Sequence, residues 1–94
     1  GQSKIHYSPG IPINLNVKNA EPNVAFILIK KRKKKLKNYF YLSKNKNLKQ
    51  AAKNLYQTLR AIKKKKFKSI AVEAIPDIGF GEAINDRLKR ASLK

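Results

Sequence analysis

Cysteine is absent from this chain of 94 residues. No disulfide framework and no thiolate metal site can therefore form, which suits a reducing compartment. Acidic residues are scarce as well: Glu21, Glu73, Asp77, Glu82 and Asp86 are the only five, against 23 lysines and arginines. Histidine occurs once, at His6. A nucleophile–histidine–acid relay would have to run through that single imidazole and a distant acid, and no serine motif supports one. Metal centres gather three or four His, Cys or carboxylate ligands, so isolated acids predict none. The chain alone reads as non-catalytic and as binding no metal or cofactor. Long apolar runs are missing too. The longest, residues 24–29, falls far short of the roughly 20 residues that a helical membrane span needs. The N-terminus lacks the basic-then-apolar order of a signal peptide, and Ile5 stands where a myristoylation motif wants Ser or Thr. A soluble cytoplasmic protein with no membrane partner is expected.

At this length one modest core can form, burying about 60–65% of the surface exposed by the unfolded chain. Residues 1–10 read as an extended arm, since Pro9 and Pro12 resist helix. Ile11, Ile13, Leu15 and Val17 then alternate with polar residues, the period of a half-buried strand. The apolar run at 24–29 suits a central strand covered on both faces. Tyr39-Phe40-Tyr41-Leu42 predicts a short third strand. The clearest helix follows, capped by Asn45 or Asn47, with Leu48, Ala51, Ala52, Leu55, Leu59 and Ile62 on one face. Lys63-Lys64-Lys65-Lys66 closes it, where cations favour the negative end of the helix dipole. A fourth strand covers residues 70–75, with Glu73 its one charged residue. A last helix runs from about Gly81 to Ser92, with Ala83, Ile84, Arg87, Leu88 and Ala91 facing inward. The strand–helix–strand–helix finish predicts an α/β fold: a small Rossmann-like open sheet of about four strands with two main helices, the longer one a right-handed crossover. The expected organisation is an arm at 1–10 and one domain at 11–94.

The loop Pro76-Asp77-Ile78-Gly79-Phe80-Gly81 enters the last helix directly. Gly79 and Gly81 would let backbone amides approach a phosphate at the helix N-terminus. A dinucleotide fingerprint needs a third glycine, and that position is Ile84. Asp77 and Glu82 add negative charge, which favours stabilisation of the helix end over anion binding. Asn85-Asp86-Arg87 offers a polar docking surface, or else ion pairs and hydrogen bonds that fix the helix to the loop. His6-Tyr7-Ser8-Pro9 places an imidazole beside a phenol on the arm, suited to a partner surface or ligand, or to a packing patch on the domain itself.

The formal charge is +18. Lys30-Lys31-Arg32-Lys33-Lys34-Lys35 reads as an exposed, self-repelling loop. Together with Lys63–Lys66 it could hold a polyanion such as tRNA through weak phosphate contacts. A solvated surface produced by AT-rich codon usage would look the same, and lysine supplies point charges rather than bidentate forks.

Four segments together resemble one known family. They are His6-Tyr7-Ser8-Pro9, Ile13-Asn14-Leu15-Asn16, Asn54-Leu55-Tyr56-Gln57-Thr58-Leu59-Arg60, and the block from Ile75 to Ala91 with Gly79-x-Gly81-x-Ala83-Ile84-Asn85-Asp86-Arg87-Leu88. The family is the C-terminal domain, with its preceding His-Tyr-x-Pro linker, of two-domain threonylcarbamoyl-AMP synthases. The resemblance implies a Rossmann-like accessory domain whose linker closes over the active site of a YrdC-like catalytic domain. That catalytic domain condenses threonine, bicarbonate and ATP, with magnesium, into threonylcarbamoyl-AMP and pyrophosphate. The product serves threonylcarbamoyladenosine formation at position 37 of tRNA. By the same resemblance His6, Tyr7 and Pro9 would lie nearest the nucleotide, lining or gating the site. The catalytic domain would act in cis or in trans, the chain being a fragment or the product of a split gene. A short region after the first strand implies a smaller variant, with fewer helices on one sheet face. The alternative is a free-standing basic nucleic-acid-binding module.

Overall fold

A computed structural model describes residues 11–30, 32–34 and 36–92. The expected positions His6, Tyr7 and Pro9 lie outside the described residues, as do Lys31 and Lys35 of the first basic cluster. In chain order the elements are β1 (Ile13–Asn14), β2 (Val24–Leu28), β3 (Tyr39–Tyr41), α1 (Leu48–Lys63), β4 (Ser69–Val72) and α2 (Phe80–Ser92). The strands form one sheet in the order β1-β4-β2-β3. Every pairing is parallel, with Ile13 beside Ile70, Ala25 beside Ile70, and Ile27 beside Phe40. This is the expected α/β fold, in which α1 carries the chain from one sheet edge across β2 to β4.

The apolar run holds the middle because both of its faces are covered. Ala25, Ile27 and Ile29 turn toward the helices, joining Ile70 and Val72 of β4 and Leu55, Leu59, Ile62, Ile84 and Leu88 of the helices. Both helices pack against this side and against each other. On the opposite side Phe26, Leu28 and Ala71 are buried beneath Val17, Ala20, Tyr39 and Tyr41 rather than beneath a helix. Connecting chain replaces a helix layer there, in keeping with a small variant of the fold. Asn38, itself buried, ties this cover down, donating from Nδ2 to the Glu21 carbonyl at 3.0 Å and the Val24 carbonyl at 2.9 Å.

Three sequence expectations need correction. The alternation from Ile11 to Val17 is not one strand. Ile11, Ile13 and Leu15 join the helix-side core, but Asn16 adopts φ 56° and throws Val17 onto the other face. Asparagine tolerates that left-handed conformation better than most residues. The second correction concerns Arg32, inside a cluster expected to be fully solvated. Its guanidinium lies 5.0 Å from the Phe26 ring centroid and donates to the Lys18 carbonyl at 3.0 Å and Asn19 Oδ1 at 3.3 Å. The third is the inward stripe of α2, which consists of Gly81, Ile84, Leu88 and Ala91, leaving Ala83 and Arg87 exposed.

The start of α1 shows local chemistry at work. Ser43 Oγ accepts from the backbone N–H of Asn45 at 3.2 Å and of Asn47 at 2.9 Å, folding the turn after β3. Asn47 then caps the helix, its Oδ1 accepting from the Gln50 N–H at 3.0 Å. Asn54, one turn further, donates to the Leu42 carbonyl at 2.9 Å and locks the helix to the strand it left.

Candidate functional site

β4 ends at Val72 although the apolar pattern runs on to Ile75. The Glu73 N–H still donates to the Ile27 carbonyl at 3.0 Å, but Pro76 removes a donor and the chain leaves the sheet. It turns at Gly79, whose φ of 53° is a conformation that side chains resist. Gly81 is needed for a separate reason: it is buried, and a Cβ there would overlap the Pro76 carbonyl oxygen. The Gly81 N–H donates to the Ile78 carbonyl at 2.8 Å, and the Glu82 N–H to the Gly79 carbonyl at 3.1 Å. Amides that could have faced a phosphate are thus engaged within the loop. Asn85, one turn into α2, donates from Nδ2 to the Ile75 carbonyl at 2.9 Å and to Asp77 Oδ1 at 3.2 Å.

The candidate residues therefore divide. Gly79, Gly81 and Asn85 come together and close the loop onto the first turns of α2. Asp86 and Arg87 stand on the solvent side of α2. Both are exposed, and Asp86 pairs with Arg90 at 3.1 Å along the outer face of the helix. Such an exposed i,i+4 pair contributes at most about 0.5 kcal/mol. Ile78 and Phe80 point outward from the same loop, 68% and 51% exposed.

All four strands leave the sheet at the end where this loop lies. Asn16 follows β1, Lys30 follows β2, Lys46 follows β3 and Glu73 follows β4. An antiparallel bridge between Lys30 and Asn45 joins two of these exits. One cavity of 260 Å³ opens between the β1 and β4 exits, lined by Asn16, Glu73, Asp77, Asn85 and Lys89 among others. A second, of 470 Å³, opens between the β4 and β2 exits, lined by Lys30, Lys46, Glu73 and Pro76 among others. Glu73 belongs to both. Its Oε1 is withdrawn from solvent and has no hydrogen-bond partner among the described residues. Sequence reasoning noted Glu73 only as the single charge in an apolar strand, and that was the available signal. No group of three or more His, Cys, Asp or Glu residues that could hold a metal occurs among the described residues.

Lys30 and the cluster Lys63–Lys66 lie at opposite ends of the sheet. Lys30 leaves the carboxyl end of β2, whereas Lys63–Lys66 follow α1 and precede β4, at the amino end of the sheet. Because β2 and β4 are parallel, the length of the strands lies between Lys30 and Lys63–Lys66. Lys63–Lys66 are all exposed. Among the described residues no helix is long and apolar enough to cross a membrane.

The family model described as threonylcarbamoyl-AMP synthase, C-terminal domain, matches residues 1–92. No curated protein matches the chain significantly in sequence. Among solved structures, the chain is similar to Sua5 of P. abyssi, crystallised in complex with L-threonine, with a TM-score of 0.72 at 21% identity. The similarity covers 98% of this chain but 31% of that one, so the chain spans about a third of that structure's length. At this identity the likeness establishes a shared fold.

Proposed function

This chain belongs to the threonylcarbamoyl-AMP synthase C-terminal domain family, and from that premise we propose that it is the accessory module of such a synthase. It regulates or closes an active site carried by a YrdC-like catalytic domain, in cis or in trans. The reaction joins threonine, bicarbonate and ATP into threonylcarbamoyl-AMP with release of pyrophosphate, in the cytoplasm. The product supplies the threonylcarbamoyl group for adenosine 37 of tRNA. Magnesium and ATP belong to the catalytic domain. Residues 1–10 are the linker arm, with His6, Tyr7 and Pro9 at the nucleotide. They gate or line the site and make no bond themselves.

The observation that carries this reading is the span of the family match, which takes in the arm as well as the domain to residue 92. The Pro76–Gly81 loop supports it. Gly79, Gly81 and Asn85 hold that loop in one shape, and the shape presents Ile78 and Phe80 to solvent. We assign this loop to contact with the catalytic domain. Adding unlabelled catalytic domain to the ¹⁵N-labelled chain should shift amides of residues 4–8 and of Ile78 to Gly81. Shifts confined to the outer face of α1, around Lys53 and Gln57, would defeat the assignment.

The exposure of Lys63–Lys66 favours a second reading, a nucleic-acid-binding surface. Duplex binding through that cluster would weaken with salt at a log–log slope of about −0.9 per phosphate neutralised. A flat response to salt with tRNA would remove it.

A further inference from the structure

We propose that the carboxyl end of the sheet is a binding site for a small zwitterion, a molecule with a primary ammonium and an anionic group a few bonds apart, held through Glu73. The proposal is independent of the accessory role above.

In open parallel sheets, small ligands bind beyond the carboxyl ends of the strands, where diverging connections leave a crevice. Here the exits of β1 and β2 flank that of β4, and a cavity opens on each side of it. Glu73 lines both cavities. A carboxylate oxygen withdrawn from water normally finds a partner, because leaving it unsatisfied costs the full desolvation of the group. Glu73 Oε1 has none among the described residues. The protein thus carries a hydrogen-bond acceptor that no described residue satisfies and that an ammonium would.

The two cavities differ in the charges around them. The smaller has Glu73 and Asp77 against Lys89, its one cation among the described residues, together with Asn16 and Asn85. The larger has Lys30 and Lys46 beside Glu73. An ammonium, with three donors and no acceptor, matches the first, and an anionic group matches the second. A divalent cation fits poorly, since no group of three or more acidic or imidazole ligands exists among the described residues. Volumes of 260 and 470 Å³ lie at or below the lower part of the range for ligand pockets and select a molecule of few heavy atoms.

The test uses the full chain, ¹⁵N-labelled, titrated separately with β-alanine, ethylamine and acetate at millimolar concentrations. β-Alanine carries both charges, ethylamine the ammonium alone and acetate the anion alone. β-Alanine should give saturable shifts at Glu73, Ala74, Asp77 and Asn16, with ethylamine binding more weakly and acetate not at all. Glu73→Gln, which removes the charge and keeps the shape, should weaken β-alanine about tenfold or more. Lys46→Asn should weaken β-alanine but leave ethylamine unchanged. Asparagine is chosen because Lys46 adopts φ 59°, which it tolerates. That second variant carries the test if Glu73→Gln fails to fold. Absence of saturable shifts with β-alanine, equal shifts with acetate, or binding undiminished in both variants would each overturn the proposal.

Discussion

Replacing Gly81 by alanine sets two effects of opposite sign against each other. Alanine is favoured over glycine by about 1 kcal/mol in a helix interior, an upper bound for Gly81 in the first turn, so α2 considered alone would gain. The added methyl, however, would overlap the Pro76 carbonyl oxygen, and Leu48 Cδ1 lies 3.4 Å away on another side. A side chain can rotate out of such a contact; a carbonyl in the backbone cannot without moving the loop. Overpacking of this kind costs about 1–3 kcal/mol, and backbone displacement puts it at the upper end or beyond. Moving the loop also strains the Asn85 bond to the Ile75 carbonyl, a neutral hydrogen bond of about 1 kcal/mol. The steric term wins, with a net loss of at least about 2 kcal/mol. For a domain of this size that lowers Tm by about 8–16 °C. With an m-value of about 1 kcal/mol/M, the urea midpoint falls by about 2 M. Gly79 supplies the internal control. No atom lies within 4 Å of a Cβ built there, so Gly79→Ala meets only the left-handed backbone, at about 1–2 kcal/mol. Gly79→Asn should stay close to the parent protein, because asparagine accepts that conformation. Equilibrium urea unfolding followed by circular dichroism compares all three. A Gly81→Ala variant as stable as the parent, or more stable, would refute the close approach.

Other substitutions test separate parts of the structure. Arg32→Ala should cost about 1–2 kcal/mol in urea unfolding by uncovering Phe26 and losing two carbonyl-type bonds, and Arg32→Lys should fail to restore it because a lysine cannot stack and fork at once. Asn47→Ala should lower stability by about 1 kcal/mol through loss of the α1 cap, whereas Asn47→Asp should be neutral or better. Asn85→Ala should cost about 1–2 kcal/mol, since it leaves the Ile75 carbonyl without its donor. Asp86→Ala, by contrast, should change the urea midpoint by less than about 0.5 kcal/mol equivalent, being one half of an exposed pair.

The elements that could be read from sequence are those whose cause is local. The spacing of Leu48, Ala51, Ala52, Leu55, Leu59 and Ile62 fixes the buried face of α1, and all six are buried or partly buried in the core. The unbroken run at 24–29 marks the central strand because only a doubly covered strand tolerates it. The Pro76–Gly81 turn was legible from its glycines, though the physical division of labour was not: one glycine serves a positive φ and the other a close approach. What stayed hidden depends on distant residues. Nothing near Arg32 distinguishes it from its lysine neighbours; its place is set by Phe26, Lys18 and Asn19. A single left-handed residue, Asn16, reverses the face of Val17, and period-two counting cannot register it. The buried stripe of α2 is narrower than its spacing predicts, because α1 and β1 cover it along Gly81, Ile84, Leu88 and Ala91 and leave Ala83 and Arg87 outside. At the carboxyl end, the meeting of Asn16, Lys30, Lys46 and Glu73 follows from the strand order, which no local pattern encodes.

The most direct test of the accessory role is a rate. Pyrophosphate release by a threonylcarbamoyl-AMP synthase catalytic domain, with threonine, bicarbonate and ATP supplied, is measured alone, with chain 1–94, and with chain 11–94. The full chain should change the rate. The shortened one should leave the rate at the level of the catalytic domain alone while keeping the parent's circular dichroism spectrum. Equal effects of the two chains, or no effect of either, would contradict the account.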